Sequence, residues 1–151
     1  MDVRFGNKSQ EAAIREEYRR IDEKWLKMQC QLMLFLMVFT VVAEVFMYFA
    51  LRALQVEFAS AGVYFTKYVL VPLVIDGGLW LGARRALHSG MTNRKKAYTV
   101  SFLMVAMAFV VYTMHSVFPA VFAVFIIPML VTVIYGDRKL TSGVAVACFL
   151  G

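Results

Sequence analysis

The chain has 151 residues, of which 61% are hydrophobic and only 17% charged, and it carries a net charge of +6. Soluble domains run at roughly 45–50% apolar and about 25% charged; here the apolar residues also fall in long runs, which excludes a soluble fold and points to an integral membrane protein. The basic residues sit at the ends of those runs, where they meet anionic lipid head groups, so the positive charge does not imply nucleic acid.

Residues 1–27 are polar, hold seven Lys/Arg and have no signal-peptide pattern. Within them Ile14, Tyr18, Ile21, Trp25 and Met28 recur at spacings of 4, 3, 4 and 3, an amphipathic stripe over about two heptads. A cytoplasmic amphipathic helix is expected from about Ser9, with Ser9 or Asn7 as its cap. Glu16–Arg20 and Glu23–Lys27 are expected as i,i+4 pairs. The stripe suits either the membrane surface, with Trp25 in the head-group belt, or a second copy in a homodimer.

The rest, 28–151, reads as a transmembrane bundle. The first span is expected at Met28–Leu51, the second at Tyr64–Gly82, the third at Ala97–Val117 and the fourth at Pro119–Tyr135. A fifth begins near Leu140, and by Gly151 it has covered little more than half of the roughly 20 residues a crossing requires. The expected fold is therefore all-α: a polytopic helix bundle of four full spans plus a truncated fifth, preceded by the amphipathic helix. On this reading the chain is the front piece of a longer protein. Lys/Arg residues number fourteen in segments 1–27, 83–96 and 136–140, against Arg52 and Lys67 elsewhere, which places the N-terminus in the cytoplasm.

Gly77-Gly78 and Gly82 are expected to let helices approach closely. Pro119 should turn the chain abruptly after the third span, and Pro128 should kink the fourth. Gly77, Gly78, Pro119 and Pro128 are accordingly the candidate hinges.

Ionisable groups inside a bilayer are costly and call for a reason. Glu44 lies about 20 Å from the cytoplasmic face at 1.5 Å per residue. Lys67, Tyr112 and His115 fall at similar depths, as do Tyr48 and Tyr64. Glu44, Lys67, Tyr112 and His115 thus form a candidate ligand or sensor pocket, recognising the polar head of a lipophilic molecule or sensing pH. The alternative is a structural set of internal salt bridges and hydrogen bonds, with Lys67 snorkelling outward. Asp76 is separate, about 10 Å from the cytoplasmic face, and His88 is expected to be solvated. The ten Met and thirteen Phe are expected to pack or face lipid. Cys30 and Cys148 make no metal-ligand spacing and are expected as free thiols. No phosphate loop, nucleophile elbow or metal pair is found, so no catalytic residue, metal site or cofactor is assigned.

The stretch His115-Ser-Val-Phe-Pro-Ala-Val-Phe-Ala-Val-Phe-Ile-Ile-Pro-Met-Leu-Val-Thr-Val-Ile-Tyr-Gly-Asp-Arg-Lys-Leu-Thr141 resembles the membrane-sensor regions of certain Firmicutes diguanylate cyclases. There a His closes one span, a Phe-Pro turn follows, an Ile-Pro lies in the next, and a Tyr-Gly-Asp turn leads onward. Tyr68-Val-Leu-Val-Pro72 and the basic loop ending in Tyr98 are similar to the same regions. The resemblance covers about residues 60–150, with His115, Pro119, Pro128, Tyr135, Gly136 and Asp137 matching the pattern. It implies a multi-pass protein of the bacterial plasma membrane whose bundle governs a cytoplasmic GGDEF domain making cyclic di-GMP, a domain this chain does not contain. The expected function is a sensory input module that takes an unknown lipophilic or extracellular ligand. A small proton-coupled transporter, with Glu44 as proton carrier, is one alternative; the sensor half of a histidine kinase is another.

Overall fold

A computed structural model describes residues 4–55, 60–114 and 123–150, and all their secondary structure is helical. Helix α1 (Arg4–Ala53) is 50 residues long, about 75 Å at the standard rise. It crosses the expected boundary at residue 27 without a break. It also begins before Ser9, so neither Ser9 nor Asn7 caps it. The expected Glu16–Arg20 and Glu23–Lys27 pairs do not form among the described residues. Instead Arg15 pairs with Glu11 at 3.9 Å and Arg19 with Glu16 at 2.7 Å. All four groups are exposed, where such pairs contribute little.

The second rod runs Ala61–His88, longer at both ends than the sequence pattern suggested. It comprises α2 (Ala61–Phe65), a π-helical segment Thr66–Leu70 and α3 (Val71–His88). Pro72, in the first turn of α3, accounts for the widened segment. Proline has no N–H for the carbonyl four residues back and its ring crowds that carbonyl, and a π turn relieves both without ending the helix. Helix α4 (Asn93–Met114) follows a short polar loop.

Among the described residues three helices are long and apolar enough to cross a membrane: α1, the Ala61–His88 rod and α4. The expected fourth and fifth spans are shorter among the described residues. One 3₁₀ turn at 123–125 leads into α5 (Ile126–Val133), and α6 is Arg138–Leu150. Pro119 and His115 lie outside the described residues. Pro128 is the third residue of α5, directly after the 3₁₀ turn at 123–125, and the residues of the expected fourth span before position 123 lie outside the described residues.

The turn joining α5 to α6 has a direct chemical explanation. Gly136 adopts φ +62°, the left-handed conformation that ends a helix and that glycine enters without a Cβ clash. Asp137 then caps α6: its Oδ1 accepts the N–H of Lys139 at 3.0 Å and of Leu140 at 3.4 Å. The Thr141 hydroxyl donates back to the Thr132 carbonyl at 3.2 Å, closing the hairpin.

The core lies where α1, α3 and α4 meet, with α5 and α6 against α4. Small side chains allow the α3–α4 approach: Ala83 is 0% exposed, and Ala86 and Ala97 are also buried. Met33, Met104 and Met107 are buried in the core, while Phe35, Phe46 and Phe49 are exposed on α1. Gly82 meets the Leu103 side chain at ordinary contact distance. At Gly77 and Gly78 an added Cβ would meet nothing within 4 Å. These two glycines therefore do not mark a close helix approach, contrary to expectation.

Among the described residues nothing covers the amphipathic stripe of α1. Ile14, Tyr18 and Ile21 are exposed, and the buried face of α1 begins only at Leu26, Gln29 and Cys30.

Candidate functional site

Glu44 and Tyr64 build the site. Glu44 is one turn before Tyr48 on α1, and both face inward because they share a helix face at i,i+4. The Glu44 side chain is 5% exposed, and its Oε2 accepts a hydrogen bond from the Tyr64 hydroxyl at 2.8 Å. Such a bond to a carboxylate is stronger than one between neutral groups. Tyr64 lies in α2, immediately before the π-helical segment, so the bond ties the first rod to the second where the second is irregular.

Aromatic rings fix this junction. Tyr48 packs on Tyr64 at 5.3 Å and on Phe65 at 4.9 Å between ring centroids, and Tyr64 packs on Tyr68 at 5.0 Å. The Lys67 ammonium stands over the Tyr68 ring at 5.2 Å. Lys67 itself is exposed and pairs with no carboxylate among the described residues.

On its other side Glu44 opens onto a cleft of about 350 Å³ between α1, α4 and the start of α5. Leu36, Phe39, Ala43, Met107 and Val111 line it, together with Ile127. Thr40 is also on its wall, but its hydroxyl is spent on the Leu36 carbonyl at 2.9 Å. The result is an apolar trough with a carboxylate at its edge, the general form of a site for an amphiphile.

No family model, no curated protein and no solved structure matches this chain. What the site does must be argued from its own chemistry.

Of the four residues expected to converge, the structure puts Glu44 on the cleft and links Lys67 to the neighbourhood only through Tyr68 and Tyr64. Tyr112 is half-buried on α4 and packs on Phe125 at 5.6 Å, while His115 lies outside the described residues. Tyr64 is the site residue that residue type and depth did not single out. Its depth matched that of Glu44, and that was the available signal. The π segment was also missed, although a proline just inside a long apolar run is its usual mark.

A second polar cluster occupies the opposite end of the bundle, where the three basic segments meet. Gln29, 0% exposed, donates to the Ser101 hydroxyl at 3.2 Å and to the Met104 sulfur at 3.6 Å. Its amide oxygen accepts from the Tyr135 hydroxyl at 2.8 Å. One glutamine thus joins α1, α4 and the end of α5. Beside it, Asp137 accepts from the Arg94 guanidinium at 3.0 Å and from the Tyr98 hydroxyl at 3.3 Å. Desolvation works to raise the Asp137 pKa, but the N–H groups of Leu140 and Lys139 and the Arg94 charge together hold it below the usual carboxylate range. Asp22, which lines a small cavity with Tyr135 and Asp137, is pushed upward by burial.

Asp76 is buried on α3. His88 ends α3, exposed as expected, with Nδ1 2.8 Å from the Arg84 carbonyl oxygen. Cys30 and Cys148 are buried free thiols. Among the described residues no group of His, Cys, Asp and Glu is placed to hold a metal.

Proposed function

We propose that this chain is the membrane-embedded input module of a signalling protein, and that the Glu44 cleft is where its signal binds. The supporting observation is a buried carboxylate, held by the Tyr64 hydroxyl at 2.8 Å, at the edge of an apolar cleft of about 350 Å³. The ligand class that fits is a lipophilic molecule with a cationic or hydrogen-bond-donating head. Its apolar body fills the trough, and its head takes the place of Tyr64 at Glu44.

Displacing Tyr64 changes a contact two residues before the π-helical segment. A widened turn that can tighten to α-helix is a two-state element, and π turns are frequent at functional positions. A ligand biases such an element only by its unequal affinity for the two forms; a tenfold difference supplies about 1.4 kcal/mol. The basic end, with the Gln29 clamp, is then the cytoplasmic end through which the change reaches an output domain. By the sequence resemblance that domain is of GGDEF type, in a multi-pass protein of the bacterial plasma membrane with its N-terminus inside. Gly77 and Gly78 are retained as hinges in this proposal because an added Cβ at either would meet nothing within 4 Å.

The test of the cleft uses tetraphenylphosphonium, a lipophilic cation, with the purified chain in detergent or nanodiscs. Saturable binding that Glu44→Gln weakens at least about tenfold is expected, since a hydrogen bond or ion contact to a charged group contributes about 1.5–3 kcal/mol. Binding unchanged by the substitution overturns the site. The signalling role is tested separately by reading the gene past Gly151, where a further span and a GGDEF-type domain are expected; an immediate stop codon overturns it. A buried carboxylate on the first helix also suits a proton-coupled transporter. Ligand-driven proton flux in liposomes, lost in Glu44→Gln, would favour that reading over the sensor.

A further inference from the structure

Away from the Glu44 cleft, at the basic end, α1 and α3 flank a groove of about 310 Å³ lined by Lys27, Cys30, Leu34, Trp80, Arg84 and His88. We propose that this groove is a binding site for one anionic glycerophospholipid, whose phosphate is held between Lys27 and Arg84.

The groove changes character along its length. Lys27 is the last residue before the apolar run of α1, and Arg84 and His88 occupy the last turns of α3. These groups stand at one level and supply charge from two different helices. Cys30, Leu34 and Trp80 continue the groove toward the apolar part of the bundle, where an acyl chain belongs. Basic pockets between helices at a membrane interface take lipid phosphate in this way.

The two cations are available to an anion. Among the described residues no carboxylate forms an ion pair with Lys27 or Arg84. Glu23 is one turn from Lys27 and still does not engage it. Arg84 is held in place by the Trp80 face at 5.4 Å, and the Trp80 ring is itself anchored because Nε1 donates to the Cys30 carbonyl at 3.2 Å. A guanidinium stacked on an indole keeps its N–H groups in plane for an oxyanion.

The negative end of the α3 dipole would oppose an anion here. Lys96 reduces that opposition, since its ammonium donates to the Leu87 carbonyl at 2.8 Å, and the Ser89 hydroxyl covers the Ala86 carbonyl at 2.6 Å.

The test uses the full chain in nanodiscs of phosphatidylcholine doped with phosphatidylglycerol. In a Trp25→Phe background Trp80 is the remaining tryptophan of the two in the sequence. Brominated phosphatidylglycerol is expected to quench it more strongly than brominated phosphatidylcholine at equal mole fraction; equal quenching overturns the site. Lys27→Gln with Arg84→Gln should reduce that preference by about tenfold or more, each interfacial cation being worth severalfold in affinity. Lys24→Gln with Arg85→Gln removes the same charge outside the groove and should leave the preference intact. Equal loss in both double variants would mean diffuse surface attraction and would overturn the proposal. Excess inorganic phosphate should not relieve the quenching; if it does, the groove takes free phosphate and the lipid assignment fails. Native mass spectrometry of the unsubstituted chain gives an independent reading, with phosphatidylglycerol retained in preference to phosphatidylcholine.

Discussion

At the basic end of the bundle, the buried amide of Gln29 is bonded on both its nitrogen and its oxygen, to groups from α4 and the end of α5, inside a region packed with Ala83, Ala97 and Met104. At the far end, Glu44 is bonded to Tyr64 but borders a cleft of about 350 Å³. Both are polar side chains on the same helix, four turns apart, and both are almost wholly buried. One sits in a closed network that fixes the relation of three helices. The other borders a cleft among the described residues. The lesson is that burial of a polar group does not by itself mark a site: the space beside it does. A network with no room for a ligand serves architecture, because each partner it loses must be replaced from within.

Alanine substitutions at the two ends separate these roles most sharply. Ala83→Leu adds volume where there is none, and overpacking should destabilise the fold by about 1–3 kcal/mol or prevent it altogether. Ala43→Leu adds the same volume on the wall of the cleft and should leave stability nearly unchanged while blocking tetraphenylphosphonium binding. Thermal or denaturant titration in detergent, set beside the binding assay, reads both. Equal destabilisation by the two substitutions would erase the distinction between a filled end and an open one.

Removing the glutamine clamp should have the next largest effect. Gln29→Leu keeps the bulk but withdraws the partner of the Tyr135 and Ser101 hydroxyls at once. Interhelical hydrogen bonds inside membranes average about 0.6 kcal/mol and reach about 1.7, so a loss of about 1–2 kcal/mol is expected. Ligand binding at the far cleft should persist. If Gln29→Leu abolishes that binding without unfolding the chain, the two ends are coupled and the clamp is part of the site.

A smaller effect of opposite sign is expected in α3. Nothing meets an added Cβ at Gly77 or Gly78, and replacing glycine inside a helix stabilises it by about 0.5–1 kcal/mol per site. Gly77→Ala with Gly78→Ala should therefore raise the melting temperature. If these glycines serve movement, the same variant should bind ligand yet lose any downstream response in the parent protein.

Much of the architecture was legible before the coordinates, and the failures have identifiable causes. Long apolar runs bounded by Lys and Arg fixed the helices α1, α3 and α4, because a bilayer forces the backbone to satisfy itself in helices. The turn expected at 136–140 forms for local chemical reasons that only the structure supplies: Gly136 is the left-handed residue and Asp137 the cap. The consequence of Pro128 depends on where its helix begins, and the 3₁₀ turn at 123–125 places it near the start of the regular α-helix. Gly77-Gly78 misled because the same small residues serve close packing or no packing, depending on which face meets α4; Ala83, Ala86 and Ala97 took that role instead. The Glu44–Tyr64 bond joins residues twenty positions apart in sequence, and no periodicity encodes which of several tyrosines at one depth will turn toward a carboxylate.

Acid should distinguish the two ends least in magnitude but most cleanly in sign. Asp137 has a folded pKa below its ordinary value of 3.8, since backbone N–H groups and Arg94 stabilise its charged form. The unfolded chain therefore binds the proton more readily than the folded one. The stabilisation is complete above the ordinary carboxylate value and fades as the pH falls through the lower folded value. Asp137→Asn removes this dependence, so the stability difference between the unsubstituted chain and the variant should be constant near neutral pH and shrink below about pH 3.8. The effect should be modest because the Arg94 partner is exposed. It should also be independent of whether the far cleft is occupied. A difference that instead grows on acidification would mean that Asp137 is protonated more readily in the folded chain, and that the capped turn is held by Gly136 and the Thr141 hydroxyl without help from the ion pair.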